Sequence, residues 1–223
     1  METKIILTGA TGMVGEGVLL ECLSQSDVKE VLMINRRPSP VKHPKLKELL
    51  VPDFFHMDEF TYHLKGYDAC FYCAGISSAG MKEKEYCLIT YDTTLSFANQ
   101  LLILNPDMVF NFVSGSHTDS SEKGKIMWAR VKGKTENALS KLPFKAVYHF
   151  RPGLMKPTTG QQNIKSFYKI INWLFPVFKA LMPNQVISIS EVGLAMINSV
   201  HFGYPKQILE IEDIKVLAKE GLD

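Results

Sequence analysis

Apolar residues along this chain fall into two alternating patterns: continuous runs, and stretches with helical spacing. The continuous runs predict strands, which are KIILTG (4–9), EVLMINR (30–36), a part of KELLVPDFF (47–55), DACFYCAG (68–75), DMVFNFVSGS (107–116) and FKAVYHFRPG (144–153). The helical spacing predicts helices over 15–26, 85–104 and 127–142. A further strand, followed by a helix, is predicted within 206–221.

The regular succession of strands and helices predicts the fold class. Apolar runs without polar alternation are typical of parallel strands that are buried on both faces. Together these features indicate an α/β protein with a doubly wound parallel sheet, the Rossmann fold. Ligands of such a sheet bind beyond the carboxyl ends of the strands. The loops expected to meet there follow Leu7, Ile34, Tyr72, Val113 and Phe150.

Length and charge narrow the class of protein. A chain of 223 residues suffices for one well-buried α/β domain and is short for two, so we expect a single domain over 1–223. The net charge of +2, without a long run of like charge, gives no support for nucleic-acid or membrane-surface binding. The first residues lead directly into a strand and lack the pattern of a secretion signal, which makes the cytoplasm the expected location.

The most apolar later stretch is FYKIINWLFPVFKALMP (167–183). Its two lysines and its internal proline make it too short and too interrupted to span a bilayer. It falls within 154–190, the region after the sixth strand, which we expect to form a small lid or substrate region. Two interpretations stay open: buried helices, or an exposed apolar patch for a partner or a fairly apolar substrate.

Cys70 and Cys73 have the spacing of a metal clip, but they lie in a predicted strand. Side chains three positions apart on a strand point to opposite faces of the sheet. We therefore interpret them as buried thiols and predict no metal site.

The first strand runs into TGATGMVG (8–15), which opens the first helix. Glycines at these positions permit a tight turn, let the main chain approach a pyrophosphate and let the helix pack on the strand. The N-terminus of the helix then offers free N–H groups and a partial positive charge to the anion. The residues predicted to bind the pyrophosphate are Gly9, Thr11, Gly12, Met13, Val14 and Gly15.

The second strand ends in INRRP, where proteins of this kind that prefer NAD(H) carry an acidic residue for the ribose 2′-hydroxyl. No acidic residue is present, whereas Arg36 and Arg37 are suited to a 2′-phosphate. The prediction is a preference for NADP(H), with NAD(H) as the alternative cofactor.

The motifs TGATGMVG, VPDFF, YCAG and FRPGLM, with a Ser…Lys segment, resemble the short-chain dehydrogenase/reductase superfamily in its atypical, epimerase/dehydratase-like branch. The resemblance is strongest to the Tat-interacting-protein-like oxidoreductases. It implies an NAD(P)-binding oxidoreductase that acts on a small carbonyl or alcohol. The positions that match the cofactor contacts of the family are Asp53 and Phe54 for adenine, Cys73, Ala74 and Gly75 beneath the cofactor, Lys132 for the nicotinamide ribose, and Pro152 and Gly153 for the carboxamide.

The catalytic positions of the family are only partly matched. Ser116, or alternatively Ser114, stands where the substrate-carbonyl serine belongs. Trp128 replaces the tyrosine that precedes the lysine by four residues and exchanges the substrate proton. An indole N–H donates a hydrogen bond but is neither an acid nor a base near neutral pH. The sequence candidates for a substitute are His117, Tyr86, Tyr91 and a water molecule.

Two functions follow from this pattern. The first is an NADP-dependent oxidoreductase of altered mechanism. The second is a catalytically silent NADP(H)-binding protein with a regulatory or interaction role, which is suggested by Trp128 and by the apolar segment 167–183 as a docking surface. The resemblance leaves a monomer and a homodimer open as the assembly, because proteins of this family form both.

Overall fold

The computed structural model describes residues 2–164, 182 and 185–221. Its strands are β1 (Thr3–Thr8), β2 (Val28–Asn35), β3 (Leu46–Leu50), β4 (Ala69–Tyr72), β5 (Val109–Val113), β6 (Ala146–Phe150), β7 (Leu154–Lys156), β8 (Val186–Ser188) and β9 (Ile208–Leu209). Its α-helices are α1 (Met13–Ser24), α2 (Glu83–Cys87), α3 (Thr93–Leu104), α4 (Met127–Leu139), α5 (Ile189–His201) and α6 (Ile211–Leu217). A 3₁₀ helix covers Asp58–Leu64, and a π-helical segment covers Leu88–Asp92.

Seven of the described strands form one parallel sheet in the order β3-β2-β1-β4-β5-β6-β9. This is the doubly wound arrangement that the sequence predicts, and it confirms the fold class. Strands β7 and β8 form a separate parallel pair. The chain order reverses between β1 and β4, and ligands of open parallel sheets bind at the carboxyl side of that point.

The register of the sheet aligns the strand ends at this reversal. Thr8 at the end of β1 lies opposite Ile34 of β2 and Tyr72 of β4. Val113 at the end of β5 lies opposite Phe150 of β6. The loops that the sequence places at one edge therefore do leave the sheet side by side.

Helices cover both faces of the sheet. One apolar core packs α1, α5 and α6 against one face, to which Ile5 and Leu7 point. The other core packs α3, α4 and the 3₁₀ helix against the opposite face, to which Ile6 points. Successive side chains of a central strand point to opposite faces of the sheet, and both faces are covered by helices. The central strands are therefore apolar at every position, since neither face meets water.

Cys70 and Cys73 point away from each other, as the strand spacing predicts. Cys70 lies in the core beneath α3 and α4, whereas Cys73 follows the end of β4 and packs against the α1 side. All four cysteines are free. Among the described residues no group of His, Cys, Asp and Glu could hold a metal ion.

The predicted boundaries need two corrections. The long helix expected over 85–104 begins at Glu83 and is interrupted by the π-helical segment Leu88–Asp92. The helix expected over 127–142 ends at Leu139, where Ser140 and the following residues turn back. The spacing of apolar residues predicts neither the π-helical interruption nor the earlier end of the second helix, because both leave the buried face of the helix unchanged.

None of the helices within the described residues is long and apolar enough to cross a membrane. The apolar stretch 167–183, apart from residue 182, and the middle of the predicted lid region 154–190 lie outside the described residues.

Candidate functional site

The glycine loop is packed so closely that side chains do not fit at two of its positions. Gly9 has a φ of +74°, and a Cβ there would lie 2.6 Å from the backbone of Cys73 and Ala74. A Cβ on Gly15 would lie 2.2 Å from the carbonyl oxygen of Gly9. The Gly12 N–H donates to the same carbonyl at 2.9 Å. These contacts bring the start of α1 against the ends of β1 and β4.

The N-terminus of α1 faces the edge of the sheet where the strands end. Gly12 is the N-cap and has no side chain to cover the first turn. The amides of Met13 and Val14 belong to the first turn, whose N–H groups have no partner within a helix. Thr11 is exposed, and Met13 and Val14 are half-buried. Free amides at a helix N-terminus form an anion site.

The end of β2 carries Asn35, a site residue that the sequence motifs do not predict. Asn35 is 3% exposed, and neither its side-chain oxygen nor its side-chain nitrogen has a hydrogen-bond partner among the described residues. A buried amide without partners is costly, since each unsatisfied group loses its hydration. Arg36 and Arg37, which follow, are exposed. Asn35 is a polar residue at the end of an otherwise apolar strand, next to the glycine loop. That sequence feature could have identified Asn35 as a site residue.

Asp53 and Phe54 lie in the loop after β3. The Asp53 carboxylate accepts a hydrogen bond from the Phe55 N–H at 2.9 Å and lies 2.8 Å from the His56 ring nitrogen. These contacts lower the pKa of Asp53, the Phe55 N–H having the larger effect. Phe54 stacks on Phe97 with ring centres 5.2 Å apart. Asp53 is thus occupied in shaping its own loop.

That loop is tied to the end of β2, because the Val51 N–H donates to the Asn35 carbonyl at 2.8 Å. The predicted adenine contacts therefore begin next to the buried amide of Asn35.

Cys73, Ala74 and Gly75 follow β4 and form the wall opposite Gly9. The Ala74 N–H donates to the Thr8 hydroxyl at 3.2 Å, which holds this turn on the end of β1. Burial raises the pKa of Cys73 to about 12, so its thiol stays neutral.

Ser114, one of the two candidate serines, is a buried part of a charged network. Its hydroxyl donates to Glu136 at 2.5 Å, and its side chain is enclosed by α4 and the end of β6. Glu136 in turn accepts two hydrogen bonds from Arg151, one of them from Nε at 3.0 Å. No sequence motif marks either charged residue, because the network joins positions that are far apart in the chain.

Lys132 lies on α4 between Trp128 and Glu136, one turn from each. Its ammonium group donates to the carbonyl oxygen of Ser114. Burial lowers the pKa of Lys132 to about 8, although the Glu136 carboxylate acts in the opposite direction. Lys132 thus lies against the loop after β5.

Ser116, the other candidate serine, lies in the tight turn after β5. Gly115 and His117 have φ values of +133° and +64°, and the Ser116 N–H donates to the Pro152 carbonyl at 2.9 Å. The turn brings Ser116, half-buried, beside the predicted carboxamide contacts. His117 is exposed.

Pro152 and Gly153 connect β6 to β7. A Cβ on Gly153 would lie 2.5 Å from the carbonyl oxygen of Gln185 and 2.7 Å from Ile211. The backbone of this turn is therefore enclosed by the start of α6 and the residue before β8.

Trp128 is half-buried in the first turn of α4. The two tyrosines considered as substitutes are engaged elsewhere. Burial raises the pKa of Tyr86, whose hydroxyl bonds to Thr90. The Tyr91 ring lies 4.2 Å beneath the Lys134 ammonium.

A carboxylate in the first turn of α1 connects the glycine-loop helix to the segment before residue 165. Glu16 is 3% exposed. Its carboxylate accepts hydrogen bonds from the backbone N–H of Gln162 at 2.8 Å and from that of Asn163 at 2.7 Å. The Gln161 side chain donates to the Met13 carbonyl at 2.6 Å. Together these bonds hold 161–163 against the start of α1.

These features define an α/β protein with a doubly wound sheet and a glycine loop between β1 and α1, the architecture of the short-chain dehydrogenase/reductase type. Residues 5–150 match the NAD dependent epimerase/dehydratase family. The chain belongs to this family, as the sequence motifs indicate.

Curated proteins similar to the chain include the following two. Protein HTATIP2 of Rattus norvegicus is 27% identical over 158 residues, which are 70% of this chain and 64% of that protein. Leucinostatins biosynthesis cluster protein T of Purpureocillium lilacinum is 30% identical over 141 residues, 62% of this chain and 51% of that protein. The chain thus spans less than two thirds of the length of either relative.

Solved structures share the fold at low identity. MoeE5 in complex with UDP-glucose and NAD has a TM-score of 0.65 at 15% identity. The match covers 97% of this chain and 81% of the MoeE5 chain. WbmF of Bordetella bronchiseptica in complex with NAD⁺ has a TM-score of 0.63 at 16% identity, with 98% and 78% covered. A short chain dehydrogenase/reductase of Saccharomyces cerevisiae has a TM-score of 0.67 at 16% identity, with 97% and 98% covered.

Proposed function

We propose that the chain binds NADP(H) along the carboxyl ends of β1, β2 and β4 and acts as an oxidoreductase on a small, fairly apolar carbonyl or alcohol. The observation that carries this proposal is the buried, unpartnered amide of Asn35, which stands next to the glycine loop and directly before Arg36 and Arg37. A bound adenosine ribose would supply the missing hydrogen bonds. The glycine loop has no room for a Cβ at Gly9 or Gly15, and its backbone is suited to bind a pyrophosphate.

The residues at the end of β2 favour the phosphorylated cofactor. An amide can bond to ribose oxygens without repelling a 2′-phosphate, which a carboxylate in its place would do. The guanidinium groups of Arg36 and Arg37 can bind the phosphate in a bidentate manner. NAD(H) remains the alternative cofactor.

When bound, the cofactor would supply or accept the hydride. The chain's own groups would then handle the oxygen of the substrate. Ser116 would orient the carbonyl oxygen, and the Lys132 ammonium would bind the nicotinamide ribose and provide positive charge. Trp128 can stack or donate a hydrogen bond but cannot exchange a proton. Turnover would therefore lack the roughly 10²–10⁴-fold contribution of a positioned acid, unless water or another group replaces it.

Cofactor choice is tested by calorimetric titration with NADPH and NADH. Wild type should bind NADPH more tightly by about tenfold, the value of one charge-assisted contact. Asn35→Asp should reverse the preference, and the double change Arg36→Ala/Arg37→Ala should remove it. Lys42→Ala is the matched control, because Lys42 is an exposed cation of the same β2–β3 loop. Binding of neither nucleotide to the wild type would overturn the proposal.

Turnover is tested by following NADPH oxidation across a panel of ketones, aldehydes, quinones and sugar-nucleotide ketones. An apolar carbonyl is expected to react, and a flat trace with every member would overturn the oxidoreductase part. The cytoplasmic location and a homodimer remain proposals of the same kind, to be tested by fractionation and by sedimentation.

Trp128 favours a second candidate, a catalytically silent NADP(H)-binding protein that a partner recognises in its cofactor-bound form. The two candidates share the binding result and differ in turnover. Tight NADPH binding with no turnover across the carbonyl panel would favour the second candidate.

A further inference from the structure

A buried pair of charged residues connects three elements around the loops after β5 and β6. Glu136 on α4 is 1% exposed, and Arg151 after β6 is 8% exposed. Arg151 donates to both carboxylate oxygens of Glu136. Its remaining donors reach Glu210 at 3.2 Å and Ser120 at 2.6 Å.

Each partner of the pair supports a different loop. Glu136 accepts a hydrogen bond from the hydroxyl of Ser114, the residue that begins the turn containing Ser116. Arg151 directly precedes Pro152 and Gly153 along the chain. A bond from the Ser116 N–H to the Pro152 carbonyl connects the two loops to each other. A shift of either partner would therefore move both loops.

The pair also determines where the Lys132 ammonium is directed. The carboxylate oxygens of Glu136 already accept from Arg151 and Ser114. Within the described part of the chain, Lys132 has no ion-pair partner and donates to the Ser114 carbonyl instead. The ammonium therefore lies against the loop after β5.

This network lies at the part of the strand-end edge of the sheet that the adenosine part of a dinucleotide would not reach. Asn35, Arg36 and the glycine loop lie at the ends of β2 and β1, whereas Ser114 and Arg151 follow β5 and β6. Strand β4 separates the two groups in the sheet.

We infer that Glu136 and Arg151 are positioning residues, which hold Lys132, Ser116 and Pro152–Gly153 in place for the nicotinamide half of the cofactor. The inference rests on the proposed function, since it assumes that a dinucleotide binds in this cleft. A supporting shell of this kind fixes the geometry of a site without touching the ligand.

The experiment compares two probes on the same protein: NADP⁺, which has both halves, and 2′,5′-ADP, which has only the adenosine half. Glu136→Gln should weaken NADP⁺ binding about tenfold, because the loops lose a charge-assisted anchor. Binding of 2′,5′-ADP should stay within about twofold, since its contacts are remote. The fluorescence of bound NADPH reports the nicotinamide environment directly and should move towards that of the free cofactor.

Glu21→Gln is the matched control. Glu21 is also a buried carboxylate, 8% exposed, and bonds to Ser190 and Gln25 away from both loops. It should leave the ratio of the two affinities unchanged. A general loss of stability, in either variant, would weaken the binding of NADP⁺ and of 2′,5′-ADP to the same extent.

Ser120→Ala covers the case in which Glu136→Gln does not fold. The substitution removes only the 2.6 Å contact of Arg151 with the Ser120 hydroxyl. It should weaken NADP⁺ binding about threefold and leave 2′,5′-ADP binding unchanged. Equal losses for both probes, or no loss for NADP⁺, would overturn the inference. A wild type that binds neither NADP⁺, NAD⁺ nor 2′,5′-ADP would instead overturn the proposed function. Where NAD⁺ proves to be the preferred cofactor, NAD⁺ and ADP are the two probes.

Discussion

At the scale of single residues, the unusual feature is Trp128 in the first turn of α4, one turn before Lys132. Lys132 does reach the loop after β5 and donates to the Ser114 carbonyl. Ser114 is engaged with Glu136, which leaves Ser116 as the serine of the exposed turn. The sequence predicts the lysine and names both serines, but only the contacts distinguish them.

Trp128→Tyr should raise reductase turnover, because a phenol one turn before Lys132 can exchange a proton. The increase expected for a positioned general acid is about 10²–10⁴-fold in kcat. The measurement is NADPH oxidation with the carbonyl that the wild type reduces best. Trp128→Phe is the control, since it keeps an aromatic ring without the hydroxyl. Equal rates for the two variants, with NADPH binding intact, would show that the missing tyrosine does not limit the reaction.

Lys132 should make stability depend on pH in the alkaline range. Its pKa is about 8 in the folded chain against an ordinary 10.5, so the unfolded chain binds more protons between these values. The free energy of unfolding therefore gains from this group as the pH rises through that window, and the group is unfavourable below it. Urea denaturation of the wild type and Lys132→Met across the window measures the effect as a difference. Parallel curves for the two proteins would contradict it.

At the scale of elements, α1 connects the cleft to the rest of the structure. The glycine loop leads into its first turn, and its Glu16 and Gly17 contact 161–163 and the start of α5. The motif TGATGMVG predicts the turn and the helix, because glycine spacing between a strand and a helix is a local signal. The role of Glu16 is not readable locally, since its partners lie almost 150 positions later in the chain.

Gly15→Ala should destabilise the fold and abolish nucleotide binding together. The added Cβ would lie 2.2 Å from the Gly9 carbonyl, and the backbone must shift to admit it. The expected loss is about 1–3 kcal/mol in the free energy of unfolding, as for overpacked sites. Gly12→Ala is the control within the same motif, because its Cβ would lie 3.3 Å from that carbonyl. Denaturation of both variants and NADPH titration of Gly15→Ala measure the two effects, and equal losses of stability in the two variants would refute the packing argument.

At the scale of the whole molecule, the order of the sheet assembles the cleft. Residues from the ends of β1, β2, β4, β5 and β6 come together only because the strands are parallel and their ends are in register. A dinucleotide that spans these ends would contact loops from both sides of the chain reversal. Its binding would thus stabilise the entire sheet rather than one loop.

NADPH should raise the thermal stability of the protein as a single cooperative transition. At about 100 times its dissociation constant, a ligand of the folded state alone adds roughly 2.7 kcal/mol. NADH at the same concentration should add less, in line with the proposed 2′-phosphate contacts. Differential scanning fluorimetry with both nucleotides measures the shift, and ATP serves as a control for nonspecific nucleotide binding. No shift with NADPH would contradict the proposed cofactor site.

The sequence by itself determined the features that depend on local pattern. Apolar runs and glycine spacing predicted the parallel sheet and the turn at Gly9, because burial on both faces and a positive φ leave direct marks on residue choice. The tertiary structure decided the features that depend on contacts between distant positions. It placed the unpartnered Asn35 amide beside the glycine loop, committed Ser114 to Glu136, and paired Glu136 with Arg151. No local rule carries these pairings, since a charge or an amide acquires its role from the partner that folding brings to it.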